Sequence, residues 1–164
     1  MKKLLCIYCL LCMTALAYAQ NLKFNANGKF KIVQFTDVHY IFNDPRAEVA
    51  IERINEVLNA EKPDLVMFTG DVIYGKPAEK SMRTVLEQVS KRKIPFALTF
   101  GNHDDEQGLS REELLKIIQR IPYSLTSTTK GISGTTNFIL PVKSSDGQKD
   151  AEILYVFDLS LIHI

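Results

Sequence analysis

Apolar and polar positions follow two different rhythms along most of the chain. Short apolar runs, such as the one from Leu65 to Phe68, are typical of strands buried on both faces of a sheet. Between these runs, apolar residues recur every three or four positions, which indicates helices with one buried face. The pattern predicts strands at 29–35, 65–68 and 94–99, and helices at 45–62, 77–91 and 110–121.

Polar residues and prolines mark the ends of the predicted helices. Asp44 followed by Pro45 is typical of an N-cap and a first helical position, so the first helix is expected to begin there. Pro63 then ends that helix, because a proline restricts the residue before it. Ser110 and Glu113 have the spacing of a capping box at the start of the third helix.

The rhythm changes in the C-terminal part of the chain. Residues 136–142 and 152–157 are predicted strands, and the polar segment 144–147 between them has the composition of a turn. Two strands joined in this way form an antiparallel hairpin. The predicted order is therefore β-α-β-α-β-α followed by a β-hairpin, an α/β fold in which parallel strands come first.

Length, composition and charge exclude several classes of protein. A chain of 164 residues has room for one domain, and its 46% hydrophobic content suits a globular core rather than a disordered chain. The 20 Lys and Arg residues are balanced by 19 Asp and Glu. This balance argues against a protein that binds nucleic acid mainly by charge, since such a protein carries a basic surplus.

The first residues have the pattern of a targeting signal. A basic start at Lys2 and Lys3 precedes an apolar stretch, and small residues at Ala17 and Ala19 suit cleavage by a signal peptidase. Residues 1–19 are therefore predicted to be a secretory signal peptide, with an uncleaved anchor as the alternative. Cleavage is expected to leave a secreted, periplasmic or cell-envelope protein without a stable membrane span. All three cysteines lie in the removed piece, so the mature chain is expected to have no disulfides. Secretion without cysteines suits a bacterial protein.

Three predicted strands end in polar clusters that carry metal-binding side chains. The first strand is followed by Asp37 and His39, the second by Asp71, and the third by Asn102 and His103. Because the carboxyl ends of parallel strands meet at one edge of a sheet, these side chains are expected to converge there. Carboxylate and amide oxygens together with imidazole suit ions such as Zn, Mn or Fe.

The physical interpretation of this edge is a dinuclear metal site. A carboxylate at the second strand end could bridge two ions about 3.5–4 Å apart, the spacing of two-metal hydrolysis. Two such ions stabilise charge on a phosphoryl group and lower the pKa of bound water. The glycines before Asp71 and Asn102 are expected to let the backbone turn sharply near the ions.

Three motifs in this order resemble those of the calcineurin-like metallophosphoesterases. They are Phe-Thr-Asp-Val-His at 35–39, Phe-Thr-Gly-Asp at 68–71 and Gly-Asn-His-Asp at 101–104. They are most similar to the branch related to purple acid phosphatases, and the resemblance covers roughly residues 30–158. It implies that the fold is the N-terminal half of a β-sandwich flanked by helices, and therefore incomplete.

The resemblance also implies a role for each site residue. Asp37 and His39 would hold one metal ion, and Asp71 would bridge two ions, whose identity could be Fe, Mn or Zn. Asn102 would bind the second ion. His103 would act near the leaving-group oxygen as general acid or transition-state stabiliser, and Asp104, the remaining residue of that motif, would orient it.

Each of these residues also has a structural alternative. Asp37 and His39 could form a strand-end turn, Asp71 could cap a loop, and His103 could be structural. Asp104 belongs to an acidic run that would otherwise be a solvated loop.

Two further residues near these motifs are weaker candidates. Tyr74 follows Asp71 with the spacing of an iron-binding tyrosine, but His39 competes for that coordination position, so Tyr74 is expected to be an aromatic residue beside the site. Asp158 follows the last predicted strand and is expected to be structural.

The sequence holds only part of the family's ligand set. Its later motifs, a lone His and Gly-His-x-His, do not occur, and the remaining histidine, His163, lies in the segment 159–164. That segment can be back-translated as CTG TCT CTT ATA CAC ATC, the transposon end of common sequencing adapters. We therefore expect a phosphoesterase domain fragment at 20–158 and a non-native tail at 159–164.

The leading functional prediction is metal-dependent hydrolysis of a small-molecule phosphate ester, with a monoester favoured. A phosphodiesterase or nucleotidase is the nearest alternative, because one core serves both chemistries. A non-catalytic secreted binding module is the alternative from a different class. Four predicted protein ligands are few for two ions, so the 164-residue chain itself is expected to bind metal weakly and to be essentially inactive.

Overall fold

The computed structural model describes residues 22–159 of the chain. The predicted signal peptide at 1–19 lies outside the described residues, as do positions 160–164 of the predicted tail. The described elements, in chain order, are β1 Ile32–Phe35, α1 Glu48–Glu61, β2 Leu65–Thr69, α2 Ala78–Ser90, β3 Phe96–Thr99, a 3₁₀ helix Asp104–Gln107, α3 Arg111–Gln119, β4 Phe138–Lys143 and β5 Asp150–Val156. The predicted order of elements is confirmed.

The first three strands form a parallel sheet in the order β1-β2-β3. Phe35 pairs with Phe68 in the first ladder, and Thr69 pairs with Thr99 in the second, so the carboxyl ends of the strands are level. This register is the feature of the fold that matters most for function, because it brings the three polar clusters to one edge.

Helices cover one face of this sheet and the hairpin covers the other. Val66 and Phe68 of β2 point into the core shared with the helices, whereas Leu65 and Met67 point towards the hairpin. The alternation follows from the strand period of two. The core on the helix side also contains Leu58 and the fully buried residues Met82, Val85, Leu86, Val89, Leu114 and Ile118. Burial on both faces explains why β2 has no polar position before its end.

The first helix begins later than its sequence predicts. Asp44 accepts the N–H of Arg46 at 2.9 Å and pairs with its guanidinium, so residues 44–47 form a turn and α1 starts at Glu48. The prediction of a helical start at Pro45 is therefore wrong. Val49 is exposed rather than part of the buried face, which starts at Ile51.

The remaining helix ends and the hairpin agree with the sequence. Ser110 and Glu113 form both hydrogen bonds of a capping box at the start of α3. Strands β4 and β5 are antiparallel, with Phe138 opposite Val156 and a register shift near Val142. Within residues 22–159, every helix is too short or too polar to cross a bilayer.

Candidate metal centre

Backbone hydrogen bonds continue the pairing of β1 and β2 beyond the strands and fix the first two clusters side by side. The N–H of Asp37 donates to the carbonyl of Gly70 at 3.1 Å, and the N–H of His39 donates to the carbonyl of Asp71 at 2.9 Å. The loops that follow the two strands therefore run in register. Their side chains start from positions that the sheet itself determines.

Three predicted ligands adopt a backbone conformation that is unfavourable for a residue with a side chain. Asp37, His39 and Asp71 have φ of 53°, 50° and 51°. A non-glycine residue in this left-handed region costs about 1–3 kcal/mol and persists where the surroundings enforce it, most often at functional sites. Three such residues at one sheet edge indicate that this edge is shaped for something other than stability.

The structure brings His39, Asp71 and His103 together. One ligand atom from each of the three residues lies within 4.8 Å of the other two. Nε2 of His39 is 3.7 Å from Oδ2 of Asp71, and the two imidazole rings are 5.8 Å apart between centroids. Asp71 uses its other oxygen, Oδ1, to accept the N–H of His103 at 2.9 Å, which fixes the carboxylate. Two imidazoles and one carboxylate are a suitable donor set for a transition metal, so these residues fit the ion that the sequence predicts.

Asp37 and Asn102 follow β1 and β3 at the same edge of the sheet, and Asp37 is not one of the three clustered residues. Asp37 is exposed, and its Oδ2 accepts a hydrogen bond from the hydroxyl of Thr36 at 2.6 Å. Asn102 is exposed and follows Gly101 directly. Their roles as metal ligands stay predictions. His103, predicted as a general acid, has a ring nitrogen within 4.8 Å of a ligand atom of His39 and of one of Asp71.

Two glycines allow the second and third loops to approach each other. A Cβ on Gly101 would lie 2.1 Å from Oδ1 of Asp71, and a Cβ on Gly70 would lie 2.9 Å from the Cα of Gly101. Gly70 also has a φ of 102°. Gly101, which was expected to bring the backbone close to an ion, thus makes room for the carboxylate of Asp71.

Asp104 binds the backbone of the second and third loops through its carboxylate. Its side chain is wholly buried, and its carboxylate accepts the backbone N–H groups of four residues at 2.8 to 3.1 Å: Gly101, Asp71, Val72 and Ile73. These bonds tie the second loop to the third. Burial raises the pKa of the Asp104 carboxyl, and the N–H groups that donate to it offset part of that rise. Asp104 therefore positions the backbone of Asp71. Because its side chain is buried, the alternative that it belongs to a solvated loop is wrong. Its role in orienting His103 stays a prediction.

Glu106 is the acidic residue that forms a hydrogen bond with the His103 ring. Its Oε2 lies 2.7 Å from Nδ1 of His103, one turn earlier on the 3₁₀ helix. This hydrogen bond raises the pKa of the His103 imidazole. Sequence reasoning missed Glu106, although its spacing of three residues from His103 is the available signal. Because Nδ1 is engaged, Nε2 is the nitrogen of His103 that can serve a substrate or an ion.

Arg111 connects the third loop to the end of the hairpin. Its guanidinium is buried and donates to the carbonyl of Gly101 at 2.8 Å, and it pairs with Asp105 at 3.0 Å and Asp158 at 3.3 Å. Asp158 also accepts the backbone N–H groups of residues 135 and 136. These contacts confirm the expected structural role of Asp158.

Tyr74 lies beside the cluster, as expected for an aromatic residue that borders the site. Its ring centroid is 5.4 Å from that of His39 and 5.2 Å from that of His103, and 48% of the residue is exposed. Tyr74 thus forms the side of the site that borders both imidazoles.

Comparison with known proteins places these features in a family. The chain is 36% identical over 85% of its length to Phosphatase DCR2 of Saccharomyces cerevisiae, covering 28% of that protein. It is 38% identical over 67% of its length to an uncharacterized protein of Schizosaccharomyces pombe, covering 25% of that protein. It is 31% identical over 86% of its length to a protein of Arabidopsis thaliana named "Probable inactive purple acid phosphatase 29", covering 42% of it. The chain thus spans less than half the length of these relatives.

The family itself is matched across the sheet, the helices and the hairpin. Residues 30–155 match the family described as calcineurin-like phosphoesterase. This range contains the polar clusters at the ends of β1, β2 and β3. The resemblance inferred from three short motifs is confirmed, and the chain belongs to the calcineurin-like phosphoesterase family.

Proposed function

We propose that this protein belongs to a metal-dependent phosphoric ester hydrolase that acts on a small-molecule phosphate monoester. The observation that supports it most directly is the convergence of His39, Asp71 and His103 at the carboxyl edge of the parallel sheet. Membership of the calcineurin-like phosphoesterases supports the same chemistry.

The proposed centre would hold two ions, drawn from Fe, Mn and Zn. When bound, such ions neutralise charge on a phosphoryl group and supply a nucleophile near neutral pH. Asp71 would bind both ions, and its Oδ1 also accepts the N–H of His103. Asp37 and His39 would hold one ion, and Asn102 would hold the other.

His103 is proposed to stabilise or protonate the leaving oxygen of the substrate through Nε2. Glu106 favours a proton on Nδ1 by accepting a hydrogen bond from that nitrogen at 2.7 Å, so the ring presents a fixed edge to the substrate. When the ring is protonated, both nitrogens are donors, and Nε2 can give its proton to the departing alkoxide.

A second candidate function is a binding module without turnover. The observation that favours it is the word "inactive" in the names of two Arabidopsis thaliana relatives, purple acid phosphatases 29 and 14, at 31% and 30% identity. Such a module would keep the phosphate-binding edge and lose the hydrolytic step.

The test compares metal binding and turnover in one series of variants. Binding of Mn²⁺, Zn²⁺ and Fe²⁺ to the 164-residue chain is measured by calorimetry, with Asp71→Asn as the test variant and Asp150→Asn, on the exposed face of β5, as the matched control. Loss of binding in the first variant alone is expected. Equal binding in both variants would contradict the proposed centre.

Turnover is measured on the product of the complete gene with mono- and diester substrates in the presence of each metal. Faster hydrolysis of monoesters is expected, and faster hydrolysis of diesters or nucleotides would favour the nearest alternative. Metal binding without turnover of any ester would favour the binding module. For the 164-residue chain alone, we expect weak metal affinity and negligible turnover.

We also propose that the protein is secreted or periplasmic. The support is the basic start, apolar stretch and small residues of the first 19 positions. Cell fractionation tests the export, and mass spectrometry of the exported protein tests cleavage after Ala19, which gives a mature chain that begins at Gln20. Protein found only in the cytoplasmic fraction would contradict the proposal.

A further inference from the structure

Tyr74 contacts two of the clustered residues with a single ring. Its plane is at 83° to the imidazole of His39 and at 87° to that of His103, with centroid distances of 5.4 and 5.2 Å. Both are edge-to-face contacts, a geometry that aromatic rings favour. The centroids of the two imidazoles are 5.8 Å apart, and their planes are inclined at 55°. The phenol ring of Tyr74 therefore contacts each member of a pair of neighbouring imidazoles.

The backbone of Tyr74 is fixed where the ring begins. Its N–H donates to the carbonyl of Tyr40 at 3.0 Å, and the preceding residue, Ile73, forms a parallel bridge with Tyr40. The N–H of Ile73 is in turn held by the buried carboxylate of Asp104. The Tyr74 ring therefore extends from a part of the loop that is held by hydrogen bonds to Tyr40 and to Asp104.

We propose that Tyr74 is a positioning residue that sets the ring orientations of His39 and His103 through its phenol ring, and that its hydroxyl is not a metal ligand. This inference rests on the proposed function, in which His39 holds an ion and His103 serves the leaving oxygen, because both roles depend on the orientation of the imidazole. Partners that orient histidine ligands commonly change metal affinity by 10- to 100-fold when they are removed. Tyr74 is such a partner for His39, and the same ring borders His103.

The exposure of Tyr74 separates this role from a role in folding. About half of the residue is exposed, at 48%, so its truncation uncovers little of the core. Tyr155 provides a matched control, since it is a 65% exposed tyrosine that also contacts a neighbouring ring, that of Phe157 at 6.3 Å. Tyr155 lies on β5 and is not part of the cluster of His39, Asp71 and His103.

The first experiment measures Mn²⁺ affinity by electron paramagnetic resonance in four proteins: wild type, Tyr74→Phe, Tyr74→Ala and Tyr155→Ala. Tyr74→Ala is expected to weaken binding about tenfold, and Tyr74→Phe and Tyr155→Ala are expected to stay within about twofold of wild type. Equal losses in Tyr74→Phe and Tyr74→Ala would overturn the inference, because the hydroxyl would then be the active group. Unchanged affinity in Tyr74→Ala would overturn it as well.

The second experiment examines the same proteins without metal, by nuclear Overhauser contacts between ring protons. We expect contacts from the ring at position 74 to both imidazoles in wild type and Tyr74→Phe, and a weaker contact between His39 and His103 in Tyr74→Ala. Missing contacts in wild type, or an unchanged contact between the imidazoles in Tyr74→Ala, would overturn the inference. If wild type fails to bind Mn²⁺, the proposed metal centre is contradicted, and this metal-free measurement alone decides the role of Tyr74.

Discussion

The backbone N–H of Asp71 donates to the carboxylate of Asp104 at 3.1 Å, which joins the second strand end to the third. The same carboxylate oxygen accepts the N–H of Gly101 at 2.9 Å. Asp71 in turn accepts the N–H of His103. Reciprocal bonds of this kind hold both loops in a single arrangement, so hydrogen bonds within the protein fix the positions of Asp71 and His103.

Replacement of Asp104 by Asn tests this arrangement. The amide places an NH₂ group where one carboxylate oxygen now accepts two backbone N–H groups. Each unsatisfied buried donor costs about 1–3 kcal/mol, so the free energy of unfolding is expected to fall by about 3 kcal/mol. Urea denaturation measures the change. The surface variant Asp150→Asn, which breaks an exposed pair with Lys143, is the control and should lose less than about 1 kcal/mol. Similar losses in both variants would contradict the central role of Asp104.

Replacement of Gly101 by Ala tests the close approach of the two loops. A Cβ at this position would lie 2.1 Å from Oδ1 of Asp71, so either the carboxylate or the loop must move. We expect a loss of about 2–3 kcal/mol in unfolding free energy, of the size seen for overpacking, together with weaker metal binding. Calorimetry and urea denaturation measure the two effects.

Gly131→Ala is the control for this substitution. A Cβ there meets nothing within 4 Å, and φ is 82°, so only backbone strain is added. We expect about 1 kcal/mol of destabilisation and unchanged metal affinity. If Gly131→Ala weakened metal binding as much as Gly101→Ala, steric displacement of Asp71 would not be the cause.

The edge where His39, Asp71 and His103 meet and the order of most elements could be predicted from the sequence because they depend on regular patterns. Short apolar runs that alternate with helical periodicity favour parallel strands buried on both faces, and the carboxyl ends of such strands lie at one edge of the sheet. The start of α1 could not be predicted in this way. The side chain of Asp44 binds Arg46 locally, and this turn competes with the helical start that Pro45 favours.

The sequence did not separate the roles of the three consecutive acidic residues after His103, although the spacing of Glu106 offered a signal. Asp104 points into the protein, Asp105 pairs with Arg111, and Glu106 binds His103. The 3₁₀ helix turns each successive side chain by about one third of a circle, so neighbours of the same charge meet different surroundings. Only the fold decides which acid is buried.

The buried pair of Arg111 and Asp158 is expected to be strongly coupled. Arg111→Met leaves the Asp158 carboxylate without its guanidinium partner in the protein interior, and we expect a loss of about 3–5 kcal/mol in unfolding free energy. The double variant Arg111→Met/Asp158→Asn should lose at least about 1 kcal/mol less than the sum of the single losses. A double-mutant cycle by urea denaturation measures this coupling, with Arg53→Met on the surface of α1 as the control. Additive losses would contradict a direct interaction.

The hydroxyl of Tyr40 is expected to make stability depend on alkaline pH. Tyr40 is buried and donates to Oε1 of Glu48 at 2.7 Å, and burial followed by this hydrogen bond raises its pKa to about 12. In the unfolded chain its pKa is about 10, so the folded state keeps the proton more tightly. The contribution of the protonated Tyr40 hydroxyl to the free energy of unfolding is therefore fully present below pH 10 and is lost as the pH rises towards 12. Between pH 9 and 11 the loss amounts to about 1.3 kcal/mol.

The variant Tyr40→Phe isolates this contribution. It removes the titrating hydroxyl, so its free energy of unfolding should fall less between pH 9 and 11 than that of wild type, by about 1.3 kcal/mol. At pH 7 it should be less stable by about 1 kcal/mol, because the hydrogen bond to Glu48 is gone. Tyr155→Phe, which removes an exposed hydroxyl from β5, is the control and should follow the wild-type curve. If Tyr40→Phe followed that curve as well, the buried hydroxyl would not hold its proton more tightly in the folded state.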